Sequence, residues 1–302
     1  KSVWSQRLID HKPMSEQYFV PGQLWPRLIE QSRYALSTGA LQPIATESTG
    51  LAEGGINFVV RILANLHRKK TTTQRQQQEK RNPFLPYEPD LLVGYFSKTH
   101  LGLLNKFNAV DHHLLIVTRQ FEDQQTPLNP PDFAAAVQVL REKPGLIFYN
   151  SGPIAGASQP HRHLQWIPFP LGENGQDFPL ASLFTQALTQ PKALPFTLAI
   201  APLTADSLRS EDGGKHCHQL YTQLLQQLDL HPQPSQNPQP HNLLMTADFL
   251  SLIPRTQESY QGIEVNALGF AGGLLVRNSD QLQTLKKLGP FNLLRQVGIP
   301  QD

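Results

Sequence analysis

The stretch of the chain richest in reactive side chains is Tyr149–Gln165, YNSGPIAGASQPHRHLQ. If residues 161–167 form a β-strand, alternation turns His161, His163 and Gln165 to one face and Arg162, Leu164 and Trp166 to the other. A face carrying two imidazoles and an amide is costly to bury without a purpose. An imidazole with a pKa of about 6.5 offers a neutral, nucleophilic ring nitrogen at pH 7. Once phosphorylated or nucleotidylated it is also a good leaving group, which suits a two-step transfer. One ring nitrogen attacks phosphorus while the other donates to an acceptor that sets the tautomer. Gln165 can donate to a phosphate oxygen without changing the charge. Just upstream, Gly152 and Gly156 permit a tight backbone path whose consecutive N–H groups would form an anion nest, with Ser158 adding a hydroxyl. On spacing alone three readings stay open: nucleophilic transfer, two metal ligands on a strand of a small barrel, and satisfied core histidines.

These residues need a scaffold. Residues 20–36 predict a helix with Leu24, Leu28, Ile29 and Leu36 on its apolar face, and the β-branched run 54–66 predicts a strand. Residues 67–82 hold six basic residues, one acid and no apolar side chain, so they read as an exposed loop. That loop would place a basic lip near an anionic ligand. Residues 91–97, 100–107 and 112–119 predict three antiparallel strands. Residues 130–142 predict a helix opened by Pro130, and 145–150 a buried strand. A helix over 216–230 would carry Cys217, Leu220, Tyr221, Leu224, Leu225 and Leu228 on one face. Cys217 is then a core residue, despite His216 and His218 beside it. Residues 231–240 read as a low-complexity loop. HNLLMTA (241–247) and FLSLIPR (249–255) predict a strand pair, with GGLLVRN (272–278) as its third member. A last helix over 280–288 would close the chain, with Lys286 and Lys287 where the helix dipole favours cations.

The 302 residues allow one or two domains, and 39 % hydrophobic with 17 % charged residues is a globular composition. With 26 Lys+Arg against 24 Asp+Glu, the net charge of +2 argues against nucleic acid as a partner. One cysteine excludes a disulfide framework and a Cys-rich zinc site. No apolar run approaches the roughly 20 residues of a membrane span. Residues 1–25 lack the apolar core of a signal peptide. The expectation is therefore a soluble, cytoplasmic protein with no membrane partner. Phosphate-loop, nucleophile-elbow and H-E-x-x-H motifs are missing.

Tyr149–Pro153, the loop to Ser158 and His161–Gln165 together resemble the signature of the diadenosine tetraphosphate phosphorylases, also called ATP adenylyltransferases. In this branch of the histidine-triad superfamily a glutamine replaces the third histidine. Asn82–Phe84, Leu104–Phe107, His113–Thr118, His241–Thr246, Ile253–Arg255 and Asn266–Gly272 resemble further family blocks, in the family's order. The resemblance implies an α+β fold, a histidine-triad-like antiparallel sheet flanked by helices. Residues 1–170 would carry the motif, and residues 171–302 would complete the substrate pocket. It also implies reversible phosphorolysis of diadenosine tetraphosphate to ATP and ADP, through an adenylyl group on His163, with His161 and Gln165 as the other catalytic residues. Substrate contacts carried over from the family are Asn105, Lys106, Asn150, Gly156, Ala157, Ser158, Gln159, Asn266, Ala267, Leu268, Gly273 and Arg277. A basic residue ending the first long strand, Lys69 or its neighbour Arg68, would add another. Ala157 stands where serine is usual, Gly273 where methionine is usual and Arg277 where lysine is usual. These departures bear on nucleotide preference. No protein-bound metal or cofactor is implied, Mg²⁺ would arrive with the polyphosphate, and a monomer acting on small molecules is expected. Two rival functions are a sugar-phosphate nucleotidyltransferase of the same superfamily and a non-catalytic module that binds adenine nucleotides. The former usually has proline between its histidines, where Arg162 stands here.

Overall fold

The computed structural model describes residues 18–63, 82–172, 175–190, 192–232 and 236–301. In chain order the elements are α1 (Leu24–Thr38), β1 (Thr46–Glu53), β2 (Ile56–Leu63), β3 (Leu92–Tyr95), β4 (His100–Leu104), β5 (Leu114–Thr118), α2 (Pro130–Glu142), β6 (Gly145–Asn150) and β7 (His163–Pro168). They continue with α3 (Ala181–Ala187), β8 (Ala199–Pro202), α4 (Ala205–Arg209), α5 (Gly213–Gln227), β9 (His241–Met245), β10 (Phe249–Pro254), β11 (Ser259–Tyr260) and β12 (Ile263–Glu264). Helix α6 (Ala267–Phe270), β13 (Gly273–Val276), α7 (Ser279–Leu288) and α8 (Pro290–Val297) complete them.

Eight strands form one antiparallel sheet in the order β3-β4-β5-β7-β6-β9-β10-β8. Strands from both sides of residue 170 therefore share a single sheet. The fold is α+β, as expected. Alternation assigns the two faces. On one, Ile116, Leu164, Trp166, Leu243 and Leu250 meet Leu28 of α1, Phe133 of α2 and Tyr221 of α5. The other face is divided. Over β6, β9 and β10, Phe148, Leu244 and Phe249 pack with Phe58 of β2, Leu274 of β13, Phe184 of α3 and Leu293 of α8. Over β3, β4 and β5 lies a smaller cluster with Tyr95, Leu101, Leu115, Val117 and Phe84. The polar side chains of β7 face outward between these two apolar covers.

The structure corrects several expectations about elements. Helix α1 buries Leu24, Leu28, Ser32 and Ala35, while Leu36 is 50 % exposed. The stripe continues from Leu28 through Ser32, which is accommodated because its hydroxyl donates to the Leu28 carbonyl at 2.7 Å. The strand expected over 54–66 starts at Ile56 and is the second arm of a hairpin. Its first arm, β1, went unread because TESTGLAE is a mostly solvent-facing strand with no apolar alternation. Gly54 and Gly55 make the turn at φ 58° and 80°, a backbone open to glycine at little cost. GGLLVRN does form a strand, but β13 runs parallel to β2 in a three-stranded sheet. The neighbour of β10 is instead β8. Helix α7 is followed by α8, which opens at Pro290 and buries Leu293, Leu294 and Val297. Residues 67–81 of the basic segment, with Arg68 and Lys69, lie outside the described residues. Cys217 is fully buried, and burial pushes its thiol up to about 12, so it is a core side chain. Among the described residues no helix is long and apolar enough to cross a membrane.

Candidate active site

Strands β6 and β7 pair only as far as Phe148 and Gln165. Beyond that point they part, and the buried amide of Gln124 fills the gap. It donates to the carbonyls of Asn150 (2.8 Å) and His163 (3.2 Å) and accepts from the His163 N–H (2.8 Å). The backbone at His163 is thereby held by a side chain on its β6 side, while on the other side it pairs with Val117 of β5.

His161, His163 and Gln165 share one face, as alternation requires, but the two histidines are in different states. His161 is fully buried, its Nε2–H donates to the Thr118 carbonyl at 2.7 Å, and its Nδ1 accepts from Asn82 Nδ2 at 2.9 Å. Both ring nitrogens are spent. His163 donates its Nδ1–H to the His161 carbonyl at 2.8 Å, which leaves the Nε2 lone pair without a partner among the described residues. Phe84 packs against both rings, at 5.6 and 5.2 Å between centroids. Burial lowers the pKa of His163 to about 4, against the hydrogen bond to the His161 carbonyl, which raises it, so the ring is neutral at pH 7. Burial also lowers the pKa of His161. A neutral imidazole with a fixed tautomer and one free nitrogen can act as a nucleophile.

Gln165 is oriented by a residue the sequence reading left among the strand residues. The Nε2–H of His113 donates to Gln165 Oε1 at 3.0 Å, and His113 Nδ1 accepts from Asn105 Nδ2 at 3.1 Å. Hydrogen-bond direction along this row fixes the amide. With Oε1 occupied, the two Nε2 hydrogens of Gln165 point outward as donors. Burial lowers the pKa of His113 to about 4, which keeps the relay neutral.

The loop before β7 is locked to the C-terminal half of the chain. Gly156 sits at φ 90°, and a Cβ there would come within 2.9 Å of Asn266 Cα and the Val265 carbonyl. Asn150 Oδ1 accepts from Asn242 Nδ2 (2.8 Å) and from the N–H of Ala267 (2.9 Å). Asn266 caps α6 by accepting from the Leu268 N–H at 3.0 Å. Arg255, 4 % exposed, donates to the carbonyls of Ala155, Val265 and Val297 and to Asn242 Oδ1, and lies 5.3 Å from the Phe270 ring centroid. Burial lowers its pKa to about 10, so it remains a cation, neutralised by carbonyl dipoles around it.

The expected anion nest is smaller than the glycines suggested. The N–H groups of Ala155, Gly156 and Ala157 all donate to the carbonyls of Gly152 and Pro153. The turn spends them on itself, leaving the N–H groups of Ser158 and Gln159. Asn150, Gly156, Asn266, Ala267 and Leu268 come together beside the cleft. Gly273 follows them, and a Cβ there would meet the Leu268 carbonyl at an ordinary 3.5 Å, so sterics do not demand glycine. Lys106 lies at the cleft end of β4, paired with Glu88 at 2.6 Å, and the exposed Arg277 pairs with Glu264. Sequence reasoning missed Asn82, His113, Gln124, Asn242 and Arg255. His113 and Arg255 open and close apolar strand runs as strongly polar residues, a signal that was present. Gln124, inside the loop EDQQTP, had none.

A family model for the Ap4A phosphorylase N-terminal domain matches residues 14–186, more than half of the chain. This chain belongs to the Ap4A phosphorylase family. A model for the ATP adenylyltransferase C-terminal domain matches residues 192–300, so both parts of a family member are present in order. Among curated relatives of this phosphorylase family member is the Saccharomyces cerevisiae protein APA1, 25 % identical over 93 % of this chain and 96 % of the relative. The yeast diadenosine 5',5'''-P1,P4-tetraphosphate phosphorylase 2 is 32 % identical over 61 % of this chain and 64 % of its own length. The fold is that of yeast Ap4A phosphorylase Apa2 in complex with AMP, with a TM-score of 0.77, 24 % identity, and 94 % and 99 % of the two chains covered. Apa2 in complex with Ap4A superposes with a TM-score of 0.75 at 23 % identity, over 94 % of this chain and all of the other.

Proposed function

We propose that this Ap4A phosphorylase family member splits diadenosine tetraphosphate with inorganic phosphate, reversibly, through an adenylyl group carried on His163. The observation that carries the reading is the difference between the two histidines: only His163 keeps a free ring nitrogen, and it lies on the same strand face as the outward Nε2 donors of Gln165. His163 Nε2 attacks the phosphorus nearest one adenosine. A nitrogen–phosphorus bond forms, the bond to the bridging oxygen breaks, and ATP leaves. The Nδ1–H stays on the His161 carbonyl, which stabilises the positive charge that develops on the ring. Gln165 donates to a non-bridging oxygen of the transferred phosphate. Inorganic phosphate then attacks the same phosphorus, ADP leaves, and His163 regains its lone pair. Asn105 and Lys106, Asn150, the Gly156–Gln159 loop, Asn266–Leu268, Gly273 and Arg277 contact the nucleotide, and Lys69 or Arg68, outside the described residues, supplies a further basic contact. Mg²⁺ enters as the counter-ion of the polyphosphate, and the chain works as a cytoplasmic monomer. The activity of the yeast relative named as a diadenosine tetraphosphate phosphorylase and the presence of both family domains support this reading. The test mixes the protein with dinucleotide radiolabelled in the adenosine-proximal phosphates, quenches in alkali and maps the labelled peptide. Label on His163, and products ADP plus ATP that require phosphate, are expected. Label on His161, or rapid phosphate-free cleavage to AMP plus ATP, overturns the assignment.

A further inference from the structure

In the three-stranded sheet, β2 lies between β1 and β13, and directly opposed residues share a face. One face is core: Phe58 and Val60 of β2 and Leu274 and Val276 of β13 are buried there together. The other face pairs Val59 with Gly273 and Arg61 with Leu275. A Cβ built at Gly273 on that second face meets the Leu268 carbonyl at 3.5 Å. Gly273 and Leu268 both contact the nucleotide on the reading above. Register therefore sets Arg61 beside a row that already belongs to the substrate.

Arg61 is half-buried, and nothing neutralises it. Its guanidinium makes no ion pair and no hydrogen bond among the described residues, and burial lowers its pKa with no acid to oppose the shift. The acids of β1 are close in sequence space but on the wrong side of the sheet. Glu47 and Glu53 are paired with Ile62 and Ile56, and Glu53 accepts from the Phe291 N–H at 2.8 Å. The β1 residue opposite Arg61 is Ser48. Two other cations of the proposed path differ in this respect, because Lys106 holds Glu88 and Arg277 holds Glu264. A cation that has lost hydration without gaining a partner costs stability until an anion reaches it.

We propose that Arg61 is a further substrate contact, donating to the phosphates that extend beyond the one His163 attacks. The proposal rests on the phosphorolysis reading above and adds a residue which that reading leaves out. On that reading Asn150, Gly156 and Asn266 surround the transferred phosphate, and Arg61 lies beyond them, past Leu268 and Gly273. Two groups extend from the transferred phosphate. One is an adenosine, which is neutral, and the other is the remaining polyphosphate, which is anionic. An unpaired guanidinium complements the second, and its planar fork matches phosphate oxygens in pairs.

Calorimetric binding of ATP and of AMP to the unaltered protein and to Arg61→Met tests the proposal. ATP carries phosphates beyond the first and AMP carries none. The dissociation constant for ATP is expected to rise about tenfold, the lower end of what a charge-assisted hydrogen bond supplies, with that for AMP unchanged within about twofold. Added NaCl should narrow the gap between the two proteins for ATP, since salt screens the contact that only one of them makes. Arg61→Lys keeps the charge without the fork and should recover part of the loss. The melting temperature of free Arg61→Met should match or exceed that of the parent, because the substitution removes a cation that had no partner. Equal weakening of both ligands would assign Arg61 to the adenylyl half, and unchanged ATP binding would show that it touches neither. Melting temperatures many degrees lower in both variants would make it structural. Each of these results overturns the proposal. Should Arg61→Met fail to fold, Arg61→Lys carries the same comparison, with a several-fold rise expected for ATP and none for AMP. Binding needs no turnover, so failure of the unaltered protein to exchange phosphate into ADP overturns the phosphorolysis reading itself, a result distinct from any of these.

Discussion

Arg162 and His163 are consecutive, both nearly buried at 3 % and 5 % exposure, and they face opposite sides of the sheet. The Arg162 side is ionic. Its guanidinium donates to Glu122 (2.5 Å), Asp132 (3.3 Å) and the Thr126 hydroxyl. Asp132, fully buried, also accepts from His100 at 2.9 Å and closes the capping box of α2 with Asn129. Charge on that side ties the start of β7 to α2 and β4. The row around His163 is neutral: among the described residues it includes His161, His163, His113, Asn105 and Gln165, and burial lowers the pKa of each imidazole. The difference is instructive because a buried charge demands ionic partners, whereas a neutral relay can leave a lone pair or an N–H₂ group unpartnered at modest cost. The groups that touch His163 and Gln165 are therefore neutral, and the Arg162 charge serves the structure behind them.

Four changes break or sharpen this contrast. The largest effect is expected from His163→Ala, which should lower turnover more than about a thousandfold and abolish covalent label while leaving the melting temperature near that of the parent. A variant that melts many degrees lower would make His163 structural as well. On the opposite face the outcomes should reverse. Arg162→Met leaves Asp132 buried with a weakened partner set, and a loss of about 3–5 kcal/mol in urea unfolding is expected. A stable Arg162→Met protein with impaired kcat would sink the division of labour between the faces. A smaller, purely orienting effect belongs to His113. In His113→Phe the amide of Gln165 is free to rotate, and kcat should fall about 10–100-fold with KM little changed, while His113→Gln, which can still donate, recovers part of it. Equal losses in both variants would argue for packing instead.

The smallest contrast is in pH. His113, His163 and His241 are each held near 4 by burial, below the roughly 6.5 of an unfolded histidine. The unfolded chain therefore binds more protons between these values, so stability is full above about pH 6.5 and declines as pH falls towards 4. Urea midpoints at pH 7, 5.5 and 4.5 should fall in that order. Over the range where the protein stays folded, kcat/KM should show no acid limb from the nucleophile near 6.5. A limb with that midpoint would show that His163 titrates like an exposed imidazole.

The shared face of His161, His163 and Gln165 was legible because period-2 alternation is a local property, surviving whatever packs against the strand. The same holds for α2, whose capping residues and Pro130 lie within a few positions of its first turn, and for Cys217, placed in the core by helical spacing alone. Strand identity was legible for β13, but its parallel partner β2 lies more than 200 residues away, and pairing at that distance leaves no mark on either segment. Strand β1 was invisible because a mostly exposed edge strand needs no apolar alternation. Within the site, residue types could be read directly. Which histidine keeps a free nitrogen depends on Asn82, 79 positions from His161, and the outward donors of Gln165 depend on His113, 52 positions away. Tertiary structure decides such questions because a hydrogen bond has a direction, and only the partner brought to it through space determines which end of an imidazole or an amide remains for the substrate.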